Sequence, residues 1–362
     1  MSCKQVAKVE TPAEGKSVSY AKGFDIEDKG EYQLLHFFRH YEKQVDTLTY
    51  QLNPRASSLE KESKVAGIIE VPIRKIISLA SPYAAMLEKL DALDKLVAID
   101  QGDFVYSVAV REKLSQENLA ELGGGPNLDV EKAIKLEADI LLYSAFPGSQ
   151  SAKLEQVASL GTQTLPLAEW QEYSILGRAE WIKVFGALLG KSEEADSIFA
   201  EIDQVYQEVV AQVKPQTERP LIISSLPFKA IWSVPGGDSY MAKLYQDAGA
   251  AYYWKDHEGT ASIPLSFEAV YPAGLEASIW ISPGAIRSYK ALAAQDERFS
   301  DFSSFQNKKV YHNYKRSLPT GGNDYWESGV INPHLILKDL VSIFHPELLP
   351  DHSRVYFDEL AD

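Results

Sequence analysis

Apolar and polar positions alternate in short runs from Ser19 to Leu52, in FDIEDKGEYQLLHFF and again in VDTLTYQL. That period of two, broken by Asp28-Lys29-Gly30, predicts a hairpin or meander. From Val71 the pattern changes. VPIRKIISLA reads as a buried strand, SPYAAMLEKLDAL as a helix and KLVAID as a strand. A helix (REKLSQENLAEL), a short helix near Val130, the strand DILLYS, the helix SAKLEQVASL and the strand TQTLPL follow. Strands alternating with helices predict a parallel α/β sheet.

A helical block then runs from Gly177 to Lys214, with Gly190 and Ser192 placed as a C′ glycine and an N-cap would be. In its second half Ile198, Ile202, Val205, Val209 and Val213 share one stripe. At ~1.5 Å per residue that half spans about 30 Å, enough to join two lobes. After Pro215 the alternation resumes with LIISSL, a helix from Ser239, SIWISP, a helix near Ala291, VYHNY and the helix YWESGVINPHLILKDLVSIF. The closing HPELLPDHSRVYFDEL is too apolar for a free tail and is expected to dock on the body.

Two pairs of segments match across the central helix. SPYAAML and DSYMAKL align Tyr83 with Tyr240, and LEADILLYS echoes LEASIWIS, each after a helix with an early glutamate, Glu131 or Glu268. Matches in the same order on both sides predict two similar lobes. The fold class is therefore α/β: two Rossmann-like lobes joined by a single long helix, with an N-terminal β extension. The boundaries fall at 1–18 (a flexible tether), 19–70 (β extension), 71–176 (first lobe), 177–214 (helical block) and 215–362 (second lobe). Gly236-Gly237 suggests a phosphate cradle, but the first lobe uses Ser81-Pro82 at the equivalent place, and neither GxGxxG spacing nor GK[ST] is present. A tight turn capped by Asp238 or Ser239 accounts for the glycines.

Charge narrows the partners. With 51 acidic and 36 basic residues the chain carries −15 at pH 7, which disfavours nucleic acid. No apolar run approaches the roughly 20 residues a membrane-spanning helix needs. The single cysteine, Cys3, allows no internal disulfide, and the polar, aperiodic KQVAKVETPAEGKSVS behind it reads as a tether. A lipid-anchored protein keeps a cysteine as its first mature residue, so Cys3 reads either as such an attachment point or as an isolated thiol.

Catalytic and metal signatures are missing. The seven histidines (His36, His40, His257, His312, His334, His345, His352) form no HxH or HExxH pattern, and there is no GxSxG elbow. The consecutive Asp256-His257-Glu258 reads as a solvated loop. No resident metal or cofactor and no enzyme activity are expected.

GRAEWIKVFGALLGKSEEADSIFAEI, VPGGDSYMAKLYQDAGA, GGNDYWESGV and HPELLPDH together give the chain a family likeness. It resembles the substrate-binding proteins for ferric siderophores, haem and cobalamin that serve ATP-driven importers, over roughly Val71 to Leu360. The resemblance implies lobes joined by a rigid helix, a ligand in the cleft, delivery to an ABC-transporter permease, and a monomer outside the cytoplasmic membrane. It favours the lipid-anchor reading of Cys3, the membrane being touched only through that anchor. It also implies one docking glutamate per lobe. NLDVEKAIKLEADIL places the first at Glu131, eight residues before Asp139 although two residues are inserted after Asn-Leu, and SFEAV places the second at Glu268. A metal-chelate pocket needs aromatic faces and cations. The segments reaching the cleft supply Tyr83, Tyr106, Phe146, Trp232, Tyr240, Arg287, Arg316 and Tyr325. The expected ligand is a ferric siderophore, with cobalamin or haem as alternatives. A chelatase-type enzyme inserting metal into tetrapyrroles shares the shape and is the reading from another class.

Overall fold

The computed structural model describes residues 17–41, 44–146, 151–282 and 284–362. Strands β1 (Phe24–Asp28), β2 (Gln33–Tyr41), β3 (Gln44–Pro54) and β4 (Gly67–Val71) form one sheet in that order. The first three are antiparallel, whereas β4 runs parallel to β3, so the extension is more than a meander. Its inner face buries Phe24, Leu35, Phe37, Tyr50 and Leu52. Phe37 stacks on Trp181 at 5.6 Å, and Phe24 meets the same indole edge-on at 5.0 Å.

The first lobe holds five parallel strands in the order β7-β6-β5-β8-β9: β5 (Ile76–Ser78), β6 (Leu96–Ile99), β7 (Ala120–Glu121), β8 (Ile140–Ser144) and β9 (Gln163–Leu167). Helices α1 (Ser81–Lys89), α2 (Val108–Ser115), α3 (Val130–Lys135) and α4 (Ala152–Ser159) connect them. Of the helix expected over 111–122 only the part to Ser115 is helical, and Ala120–Glu121 is a short strand. The periodicity is real only to Ser115, and Leu119 and Leu122 turn into the core beside β7.

The bridge consists of α5 (Ile175–Glu180), α6 (Ile182–Leu189) and α7 (Ser192–Val213). Gly190 closes α6 at φ 68°, the left-handed conformation that glycine adopts without cost. Ser192 begins α7 without a side-chain cap. The buried stripe of α7 is Ala195, Phe199, Ile202, Tyr206, Val209 and Val213, while Ile198 and Val205 are half-buried. The expected stripe is thus rotated, because two aromatic rings reach further into the core than β-branched side chains. One buried cluster runs from Phe24 through Trp181 and Phe185 to Ile336 and Leu340. The lobes therefore share a core along the bridge.

The second lobe contains β10 (Leu221–Ser224), β11 (Trp232–Val234), β12 (Ala251–Tyr252), β13 (Ile263–Leu265), β14 (Ile279–Ile281), β15 (Val310–His312) and β16 (Asp358–Glu359). Its main sheet has the order β12-β10-β14-β15-β16, parallel except for β16, and β11 pairs with β13 as a separate ribbon. Helices α8 (Tyr240–Asp247), α9 (Phe267–Glu276), α10 (Tyr289–Gln295), α11 (Ser303–Gln306) and α12 (Pro333–Phe344) cover it. The last helix starts at Pro333, not Tyr325, since Pro favours a first helical turn and 325–332 folds as turns with a short 3₁₀ segment. The C-terminal segment docks as expected. The buried carboxylate of Asp339 accepts the N–H groups of Val355, Tyr356 and Phe357 and faces His352 at 2.7 Å.

Candidate functional site

Parallel sheets gather their loops at the carboxyl ends of the strands, where ligands of open α/β folds sit. Here two such edges face each other. The turn after β9 forms one wall; the turn after β11 and the segment before β13 form the other. A cavity of about 480 Å³ lies between them, lined by Trp170 and Tyr173 from the first lobe and by Ser239, Tyr240, Met241 and Ala261 from the second. Lys243 crosses the gap to donate to the Tyr173 carbonyl at 3.1 Å.

The glycines that open α8 serve close packing. A Cβ on Gly236 would lie 2.4 Å from the Gly259 carbonyl oxygen, and one on Gly237 2.3 Å from that of Lys255. Ser239 then caps α8, its hydroxyl accepting from Ala242 N–H at 3.2 Å, while Asp238 accepts from Gly259 N–H at 2.7 Å. The result holds Tyr240 at the cavity wall.

Tyr240 joins the lobes. Its hydroxyl accepts from Arg178 Nη1 at 3.2 Å, and its ring lies 5.0 Å from the guanidinium carbon. Arg178 Nη2 stands 3.8 Å from Glu169, whose other oxygen accepts from the Tyr83 hydroxyl at 3.1 Å. Burial pushes the Glu169 carboxyl up, a trend that Arg178 opposes.

Elsewhere between the lobes a second cavity of about 480 Å³ is lined by Tyr106 and Ser107 from the first lobe and by Arg316, Asp324 and Glu327 from the second, and hydrogen bonds tie the lobes together beside it. Glu327, 1% exposed, accepts the N–H groups of Tyr106 and Ser107 at 2.7 and 2.8 Å from the opposite lobe. Burial pushes its carboxyl up to about 7, although both N–H groups pull the other way. Thr320 and Gly322 add hydrogen bonds to the Asp103 carbonyl. Arg316, placed by this turn, sits 5.3 Å from the Tyr106 ring and 2.7 Å from Asp324.

Of the residues expected to bind ligand, Tyr240 lines the first cavity, and Tyr106 and Arg316 meet across the lobes and line the second. Phe146 is 52% exposed with its ring 5.0 Å from that of Trp170. Arg287 is exposed and donates to Ser317 Oγ at 2.5 Å. Three expectations are corrected by burial. Trp232 is fully buried among Trp280, Phe299 and Phe302, its indole N–H donating to the Ser224 carbonyl at 2.9 Å. Tyr83, 1% exposed, spends its hydroxyl on Ser144 and Glu169. Tyr325, 4% exposed, packs on Trp326, Tyr356 and Phe357. These rings support the walls and present no face to a ligand. Arg316 is also less available than expected, because Asp324 already pairs it.

The sequence reading missed Trp170 and Arg178. Trp170 lies in the turn after β9, the same positional rule that selected Arg287 and Arg316. Arg178 lies inside a buried helix and gave no signal.

Glu131 and Glu268 are exposed in the first turns of α3 and α9, the helices that precede β8 and β14 at equivalent points of the two lobes. Asp129 and Ser266 supply the caps. Glu268 is held below the usual carboxylate range, first by its own backbone N–H and by Ser266, with Arg298 at 3.9 Å a lesser influence. Cys3 lies outside the described residues. Among those residues no three or more His, Cys, Asp or Glu side chains are grouped to hold a metal ion, and no helix is long and apolar enough to cross a membrane.

Two α/β lobes with facing strand ends, joined through one long helix, define a two-lobed solute-binding fold. A family model described as periplasmic binding protein matches residues 76–316, and the chain belongs to that family. It is a binding protein, not an enzyme, of the kind that works with a membrane permease. An uncharacterised lipoprotein of Methanocaldococcus jannaschii is 23% identical over 300 residues, 80% of this chain and 69% of that protein. Among solved structures, a periplasmic haem-binding protein from Pseudomonas aeruginosa has a TM-score of 0.58 at 15% identity, covering 80% of this chain and 99% of its own. A nickel-bound Helicobacter pylori protein has a TM-score of 0.58 at 18% identity, covering 79% and 88%. A possible iron-binding solute-binding protein from Staphylococcus epidermidis has 0.58 at 18%, covering 75% and 98%. At such identities these likenesses establish the fold.

Proposed function

We propose that this protein captures a metal held in an organic shell, of the ferric siderophore class, outside the cytoplasmic membrane and hands it to an ABC-transporter permease. The observation that carries the reading is the inter-lobe cavity between Trp170 and Tyr240. Its walls offer the faces of Trp170, Tyr173 and Tyr240 beside the hydroxyls of Ser239, Thr260 and Ser262, which suit an organic surface better than a bare ion. Its volume of about 480 Å³ falls in the range of small-molecule sites. Solved neighbours whose names specify haem, nickel or iron support a metal-bearing ligand. Glu131 and Glu268 serve as the permease-docking pair, and Cys3 as the lipid attachment point, in keeping with the relatives named as lipoproteins.

The test is calorimetric titration with ferric desferrioxamine B, haemin and cyanocobalamin, on the wild type and on Ala261→Trp. One probe is expected to bind at micromolar Kd or tighter, and the new indole in the cavity should weaken it at least ~100-fold, the effect of about 3 kcal/mol. No binding by any probe, or equal binding by the variant, contradicts the reading.

A further inference from the structure

Two buried donors meet no acceptor: the indole Nε1 of Trp170, a residue of the cavity wall, and Nε of Arg178, which stands behind the wall residue Tyr240. Trp170 lines the cavity from one lobe, and Arg178 donates to Tyr240, which lines it from the other. Buried polar groups in folded proteins nearly always have partners, and an orphan asks for an explanation such as a bound water, ion or ligand. Two orphans of the same sign, on segments separated by a few residues, ask for an oxygen.

The charge on Arg178 is also under-compensated. The side chain is nine-tenths buried, at 8% exposure, where an ionic group requires close pairing. Its carboxylate partner Glu169 stands at 3.8 Å, beyond hydrogen-bond reach, and is already occupied by Tyr83. The neighbouring Glu172 is spent on Lys22, Gly23 and Trp181. What Arg178 does hold is a neutral phenol at 3.2 Å. An anionic oxygen is a far better partner for a guanidinium fork than a phenol is.

We propose that Trp170 Nε1 and Arg178 together seat a carboxylate group of the ligand, which displaces the Tyr240 hydroxyl from the guanidinium. The assignment rests on reading this cavity as the ligand site, and it names the chemical handle by which the ligand is held. Arg287 and Arg316, the cations expected from sequence, do not compete for the role. Arg316 is paired with Asp324, and Arg287 is exposed to water.

The experiment begins without any metal complex. Full-length protein with ¹⁵N-labelled indoles is titrated with millimolar citrate, and the Trp170 N–H resonance is assigned by its loss in Trp170→Phe, which keeps a ring in place. Citrate should move that resonance, and Arg178→Gln should abolish the movement. Haemin and haemin dimethyl ester, which differ only in two free carboxylates, are then compared by calorimetry, with ferric citrate alongside. The carboxylate-bearing probes should lose roughly tenfold in affinity in Trp170→Phe, the scale of one hydrogen bond to a charged group, and the diester should lose nothing. A Trp170 resonance that ignores citrate overturns the proposal, even if Arg178→Gln fails to fold. Chelates that bind with Trp170→Phe undiminished overturn it too, while leaving the metal-chelate reading intact. A citrate response with no chelate bound has the opposite meaning: the carboxylate seat stands and the metal-chelate reading falls.

Discussion

At Glu327 one carboxylate makes a cross-lobe contact, and its protonation makes that contact depend on pH. Its folded-state value of about 7 lies above the ordinary glutamate value of 4.5, with burial the leading cause. A group whose value rises on folding holds its proton more tightly in the folded protein. Its favourable contribution is complete below pH 4.5 and is lost as pH rises through about 7. The full loss is on the order of 3 kcal/mol, at ~1.4 kcal/mol per unit. Thermal melts of wild type and Glu327→Gln between pH 5 and 8 should therefore differ in slope, with the wild type losing more as pH rises. Parallel slopes would show that Glu327 is hydrated or ionised throughout. At this scale the sequence was only partly readable. Tyr240 and the Tyr106–Arg316 pair sit at the ends of strands and could be placed. Tyr83, Trp232 and Tyr325 could not be told from core aromatics, because an aromatic after a strand serves a wall or a core depending on which way the next turn bends.

Among the elements, the segment before β1 shows how the extension becomes part of the body. Glu180, with no exposed surface, accepts the N–H groups of Ser19, Tyr20 and Ala21 at 2.7 to 2.8 Å and lies 3.3 Å from Lys183. Glu172 does the same for Lys22 and Gly23. Replacing Glu180 by Gln keeps one acceptor and turns an amide N–H₂ toward backbone donors. Stability should fall by about 2–4 kcal/mol, read from urea unfolding, with faster proteolysis around residues 17–23. Unchanged unfolding would mean that the extension is held by its apolar face alone. Most elements were legible because strong periodicity and the turn residues Gly190 and Pro333 mark their ends. The misreadings have physical causes. In QENLAELGGG after Ser115 the apolar residues Leu119 and Leu122 fit either period, and the buried face of α7 is set by Phe199 and Tyr206, larger than the β-branched residues of the expected stripe.

For the whole molecule, the internal repeat is what made the architecture readable, since α1 and α8, and β8 and β14, recur in the same order about the bridge. The repeat is imperfect where function differs. In the second lobe α8 lies in the chain between β11 and β13, which pair as a ribbon, and Tyr240 reaches the cavity while its counterpart Tyr83 is buried. Glu131 and Glu268 sit at matching exposed helix starts. Changing either to Lys should leave the melting temperature and ligand Kd essentially unaltered, since surface changes usually cost under ~0.5 kcal/mol. Uptake in cells carrying the cognate permease should fall severalfold, because like charges would then meet across the interface. Normal uptake in the double variant would remove both from the docking surface.

The most direct test of the account is the native mass spectrum of protein purified from its own host, with metal analysis of the same sample. The wild type should carry one organic ligand per chain, bearing a metal and released on denaturation, and Ala261→Trp should carry none. A bare metal ion without added organic mass, or an adduct undiminished in Ala261→Trp, would contradict it.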